Sequence, residues 1–126
     1  MGQSTDAFAR MSGTIANGAA VSDAFDISKL QMLCAAVLVP SAWTAADIGF
    51  EVSIDGVTWV SLHDDEGNRI KITGVVTNAS RLYIAPAKSW ALGAFPYVRI
   101  VSLNTSNGAN INQGADRTVI LVRLSS

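Results

Sequence analysis

Phe50-Glu51-Val52-Ser53-Ile54-Asp55-Gly56-Val57-Thr58-Trp59-Val60-Ser61-Leu62 decides the fold. Its first five residues alternate, which predicts a strand with Phe50, Val52 and Ile54 facing inward and Glu51 and Ser53 facing outward. Asp55-Gly56 offers the positive φ of a tight hairpin turn, so residues 58–62 read as the returning strand. A second hairpin is expected around Asp64-Asp65-Glu66-Gly67-Asn68, followed by the alternating run 69–73.

The same period continues outward from this core. Segments 81–84, 97–101 and 117–124 read as strands, and so do 31–39 and, more weakly, 14–21. Short strands punctuated by Gly, Asn and Asp describe an all-β fold. We expect a single β-sandwich or jelly roll of about eight antiparallel strands. One or two short helical turns are expected as well. One is at 44–47, with Thr44 as N-cap and Asp47 three positions on. The other is at 86–93, with Pro near its start and Gly at its end. Residues 1–12 lack a strand period and read as a flexible N-terminal arm, leaving 13–126 as the sandwich domain. Residues 104–110 read as a long surface loop.

Composition narrows the function. The chain has 126 residues, and only 15% are charged, with nine basic against ten acidic residues. Mean hydropathy is +0.31. An intrinsically disordered chain is excluded, because such chains are poor in apolar residues and rich in charge. Nucleic acid is not an expected partner, because counterion release needs a basic face. The longest apolar run, 32–39, is far short of the roughly 20 residues that span a bilayer, so no membrane partner is expected. One cysteine and one histidine, Cys34 and His63, leave no disulfide framework or Cys/His zinc site within one chain. No nucleophile elbow, P-loop or dinucleotide fingerprint occurs. We expect no enzyme activity, cofactor or metal. The N-terminus lacks a basic start and an apolar stretch, so no export signal is expected.

So few charges on a soluble domain suggest that part of its surface is covered by another chain. Alternation fails where such cover would be needed. Leu33, Ala35, Val37 and Val39 share one face of 31–39, and Met32, Cys34, Ala36 and Leu38 share the other. Along 117–124, Thr118, Ile120, Val122 and Leu124 share one face, yet Val119 and Leu121 occupy the second. The cover is either the chain's own N-terminal segment or a neighbouring subunit. The candidate interface residues are Phe8, Met11, Met32, Val119 and Leu121.

Other features carry less chemistry. Asp64-Asp65-Glu66 lacks the alternating ligand order of a calcium loop. At a strand end Asp64 and Asp65 would point apart, so a solvated turn is expected. Asn78-Ala79-Ser80 and Asn104-Thr105-Ser106 read as chance matches to the glycosylation pattern. Trp43, Trp59 and Trp90 sit beside apolar segments and suit packing. Trp43, Trp90 and Asn107 are the candidate glycan contacts if the domain binds carbohydrate. Arg99 and Arg117 lie in or beside apolar strands and need acceptors, with Glu51 and Asp116 as candidates.

Residues 52–59, of the form Ser-x-Asp-Gly-x-x-Trp, and the later Tyr97-Val98-Arg99-Ile100 resemble the discoidin or galactose-binding-like β-sandwich. A larger ordered set includes Ala42-Trp43-Thr44-Ala45-Ala46, Asp64-Asp65-Glu66-Gly67 and Asn112-Gln113-Gly114-Ala115-Asp116-Arg117-Thr118. It resembles small structural proteins of tailed bacteriophages and related particles. That resemblance implies a virion protein made in the bacterial host cytoplasm. It further implies a capsid decoration (cement) protein whose partners are the major capsid protein and copies of itself, a trimer among the forms considered. The alternative is a carbohydrate-binding module of a head or tail fibre.

Overall fold

Among the described residues, nine strands form where the sequence alternates or runs apolar: β1 (Phe8–Ile15), β2 (Phe25–Asp26), β3 (Met32–Val39), β4 (Asp47–Ser53), β5 (Val60–Ser61), β6 (Lys71–Ile72), β7 (Arg81–Ile84), β8 (Tyr97–Leu103) and β9 (Arg117–Ser125). The structure is a computed structural model, and it describes residues 8–26, 32–73, 75, 81–84 and 95–125. A four-stranded sheet has the order β1-β9-β3-β7. A five-stranded sheet has the order β2-β8-β4-β5, with β6 also paired to β4. Every strand pair is antiparallel.

The two sheets close on one core. Ile15, Val37, Val39, Val119 and Leu121 from the first sheet meet Phe25, Ile48, Phe50, Val52, Val98 and Ile100 from the second. The fold is therefore an all-β sandwich, as the alternation predicts. Gly13 permits the close approach of the sheets at β1, because a Cβ there would lie 3.0 Å from the Phe25 ring. Gly49 does the same on the outer side of β4, where a Cβ would lie 2.6 Å from Leu103 Cδ1. Both are strand-interior glycines used for space, not for a turn.

Several expectations are corrected. Strand β1 begins at Phe8, inside the segment read as an arm, and pairs with β9 from Phe8↔Leu124 to Ile15↔Arg117. Residues 1–7 lie outside the described residues. The strand expected at 14–21 is thus displaced toward the N-terminus, and only isolated bridges at Val21 and Ser22 follow it. No helix occurs among the described residues. The segment 44–47 is instead drawn out, because Thr44 bonds across the sandwich end and Asp47 opens β4. The turn expected at 86–93 lies outside the described residues.

Asp55-Gly56 does not make a two-residue turn. Val52 pairs with Val60, so 53–59 forms a longer loop, and Ile54 is 79% exposed rather than inward. Val119 and Leu121, expected at an interface with another chain, are core residues exposed by 0% and 1%. The expectation rested on β9 being apolar on both faces, and the other sheet covers this one. Arg117 lies at the end of the sandwich, where its Nε donates to Gln113 Oε1 at 3.2 Å and its Nη2 to Thr44 Oγ1 at 3.2 Å.

Candidate interaction site

The most distinctive local chemistry follows Ser53 at the end of β4. The loop is short of hydrophobic burial, and its order comes from one carboxylate. Asp55 Oδ1 accepts the backbone N–H groups of Val57 and Thr58, both at 2.8 Å, and the Ser53 hydroxyl at 2.9 Å. The Gly56 N–H donates in turn to Ser53 Oγ at 2.8 Å. Gly56 has φ of 79°, and a Cβ there would lie 3.4 Å from the Tyr97 ring. A side chain at this position would meet both backbone strain and that ring.

The loop so fixed presents apolar side chains to solvent. Ile54, Val57 and Val60 are the large hydrophobic residues most exposed among the described ones, Val57 at 81%. Ile54 and Val60 line a groove of about 350 Å³ whose walls also include Val52, Thr58 and Phe95. Single exposed hydrophobics are ordinary, but Ile54 and Val57 on one ordered loop, with Val60 opening β5 beside them, form a contact surface.

These hydrogen bonds hold the Asp55 carboxyl down at about 2, the Thr58 and Val57 N–H donors being the main cause. A depressed native pKa means that the unfolded loop binds protons more readily, so the stabilisation is present above the usual carboxylate value near 3.8 and is lost as pH falls through about 2. A side-chain carbonyl titration by NMR is expected to place the Asp55 midpoint near 2, with Val57 and Thr58 amide shifts moving together. A midpoint near 4, the ordinary carboxylate value, would contradict this loop geometry.

The outer face of the five-stranded sheet is ionic. Glu51 Oε1 accepts Arg99 Nε and Nη2, each at 2.7 Å, and Arg69 Nη2 lies 4.0 Å from Glu51 Oε2. Lys71 Nζ lies 3.6 Å from Asp47. The Arg99 guanidinium sits 4.5 Å from the Trp59 ring centroid, so Trp59 covers this ion pair and does not fill the core. Glu51 is thus the partner of Arg99, whereas Asp116 accepts the Asn17 N–H at 2.8 Å.

The outer face of the four-stranded sheet is different. Register places Ala36 and Leu38 of β3 beside Val122 and Ile120 of β9, on the side away from Val119 and Leu121. Leu38, Ile120 and Val122 are partly exposed. Arg10, exposed on the edge strand β1, pairs with Val122 and is the charged group on this side among the described side chains.

Of the expected interface residues, Met11 is partly buried and packs on the core. The side chains of Phe8 and Met32 lie outside the described ones. Trp43 is 1% exposed, and its Nε1–H donates to the Ala46 carbonyl at 3.2 Å, so it offers no face to a sugar. Trp90 lies outside the described residues. Asn107 is exposed, but its Oδ1 accepts the Ala109 N–H at 2.9 Å and shapes its own loop. The structure therefore does not bring the three glycan candidates into one described site.

Asp64, Asp65 and Glu66 carry carboxylate oxygens within 4.8 Å of one another, because they occupy a turn and not the strand end that would have separated them. Asp64 Oδ1 already accepts the Glu66 and Asn68 N–H groups, each at 2.9 Å, which makes it a turn former. These are the acidic side chains with the spacing to hold a cation among the described residues.

Alternation places Ile54 inward and marks neither Val57 nor Val60 as a contact. The available signal was the acceptor spacing Ser53-x-Asp55-Gly56, which rigidifies a loop and so keeps flanking apolar residues outside. No protein-family model matches the chain, and no curated protein matches it.

Proposed function

We propose that this chain is a virion structural subunit, a capsid decoration (cement) protein that binds copies of itself and the major capsid protein of a tailed bacteriophage or phage-like particle. The observation that carries this reading is the rigid loop 53–58 with Ile54 and Val57 held out in water. An ordered apolar projection loses little entropy when a partner covers it, which is how preorganised protein contacts gain affinity. The second support is the separation of surfaces: the apolar loop, a sheet face whose described centre is apolar, and an ionic sheet face. A subunit with two separate contact surfaces can clamp a lattice, because each further contact becomes intramolecular. The low charge content and the resemblance to phage structural proteins fit the same role.

The test is reconstitution. Purified full-length chain is added to heads that lack it, and bound protein is read by co-sedimentation. Binding should saturate, and Val57→Asp should weaken it about tenfold or more, as loss of a central apolar contact does. The same variant should change folding stability by only about 0.5 kcal/mol, since the site is open to water. A specific glycan bound by the wild-type chain, with no binding to heads, would favour the fibre alternative.

A further inference from the structure

We infer that the outer face of the β1-β9-β3-β7 sheet is the surface through which two copies of this chain pair, face to face about a two-fold axis. The inference rests on the proposed role as a contact-forming subunit and names the surface and partner for self-association.

Charge distribution is the first ground. Asp47, Glu51, Arg69, Lys71 and Arg99 all lie on the outer side of the other sheet, already joined to one another at 2.7 to 4.0 Å. Covering that side would strip water from ions, at a cost that their mutual attraction does not reliably repay. The first sheet instead shows Ala36, Leu38, Ile120 and Val122 at its centre and Arg10 on its edge strand. A two-fold contact sets a surface against itself, so its centre must be free of ionised groups that would meet their own kind. Among the described side chains this centre meets that condition, and Arg10 would fall on the rim.

Size is the second ground. Strands of eight, nine, eight and four residues, about 4.8 Å apart and at about 3.4 Å per residue, give a face of about 500 Å² per copy. Two such faces bury about 1,000 Å² together, the size at which a specific interface begins.

The third ground is the use made of the N-terminal segment. It is one of two possible covers for the face of β9 that lies away from the core, the Ile120–Val122 side. From Phe8 onward it lies beside β9 as a paired edge strand, extending the face instead of capping it.

Sedimentation equilibrium of the full chain over a wide concentration range tests the inference. The wild type should show reversible association from 13.2 kDa to twice that mass. Ile120→Lys should raise the dissociation constant by about a hundredfold or more, because the two-fold buries the new ammonium twice. Val57→Lys, on the exposed loop, should leave dimerisation unchanged. A readout without substitution guards against misfolding of the Ile120 variant: on dilution, the methyl signals of Ile120, Val122 and Leu38 should shift while those of Ile54 and Val57 stay. A monomeric wild type at all concentrations overturns the inference, as does a dimer that Val57→Lys abolishes and Ile120→Lys spares. A trimer in place of a dimer also overturns it. The proposed function is read separately by co-sedimentation with heads: a dimer that binds no heads keeps this inference and removes that function, and a monomer that binds heads does the reverse.

Discussion

Leucine in place of Gln113 is expected to destabilise the fold by about 3–5 kcal/mol, because several buried polar groups lose partners together. Gln113 is 1% exposed and joins two loops at one end of the sandwich. Its Oε1 accepts the Thr44 N–H at 2.8 Å and Arg117 Nε at 3.2 Å, while its Nε2 donates to the Thr44 carbonyl at 3.1 Å. Backbone at Gln113 is tied in as well, donating to Ala19 and accepting from Gly18, each at 2.9 Å. Leucine keeps much of the volume and removes all three side-chain bonds. Thr44 keeps its hydroxyl contacts to Gly114 N and Arg117 Nη2, both at 3.2 Å, so the loss is partial and not a collapse of the whole end. Urea unfolding, with the midpoint compared at constant slope, reads the change. Glu in place of Gln should fall between the two, since it retains an acceptor for Arg117 and loses the donor to Thr44.

Trp43→Ala is expected to cost a similar amount, about 3–5 kcal/mol, by opening a large cavity. Trp43 belongs to the core cluster, and its indole N–H is satisfied by the Ala46 carbonyl at 3.2 Å. Trp43→Phe should be milder, at about 1–3 kcal/mol, because most of the ring remains and one hydrogen bond goes. This pair of variants also separates packing from recognition. A tryptophan that stacks on a sugar must expose a face, and its removal would spare stability while abolishing binding. Denaturant midpoints that fall in the order wild type, Phe, Ala support the packing role. A Trp43→Ala chain as stable as the wild type would contradict it.

The strand pattern was legible because alternation is a property of a few adjacent residues. Phe50-x-Val52 and Val98-x-Ile100 face the core as their period demands. Two kinds of feature were not legible. The first is the face of a strand that is apolar on both sides. For β9 the choice between Val119–Leu121 and Ile120–Val122 depends on what lies across the sandwich. Gly13 beside Val119, with the Phe25 ring above it, settles that choice, and no local pattern carries it. The second is the use of polar side chains as scaffolding. The Asp55-Gly56 pair suggested a tight turn, but Asp55 accepts the N–H groups two and three residues on, and that widens the turn into a loop. Thr44 likewise had the form of a helix cap, and its hydroxyl and backbone are taken by Gln113, Gly114 and Arg117, 69 to 73 residues away.

The candidate site was half legible for the same reason. The motif behind the resemblance, residues 52–59, includes the loop that holds Ile54 and Val57 in water, while the residues expected as contacts lie elsewhere. Val119 and Leu121, expected at an interface, lie on the core side of β9, since a core and a contact face are built from the same amino acids. Only the opposing sheet distinguishes them.

The proposed decoration role is that of a subunit that covers and is covered. Its most direct measurement is the amount of full-length chain retained by purified heads lacking it, followed by co-sedimentation as the chain is titrated. Saturation at a fixed number of copies per head, with binding weakened by Val57→Asp, is the predicted result. Heads that retain no wild-type chain at any concentration would contradict the account.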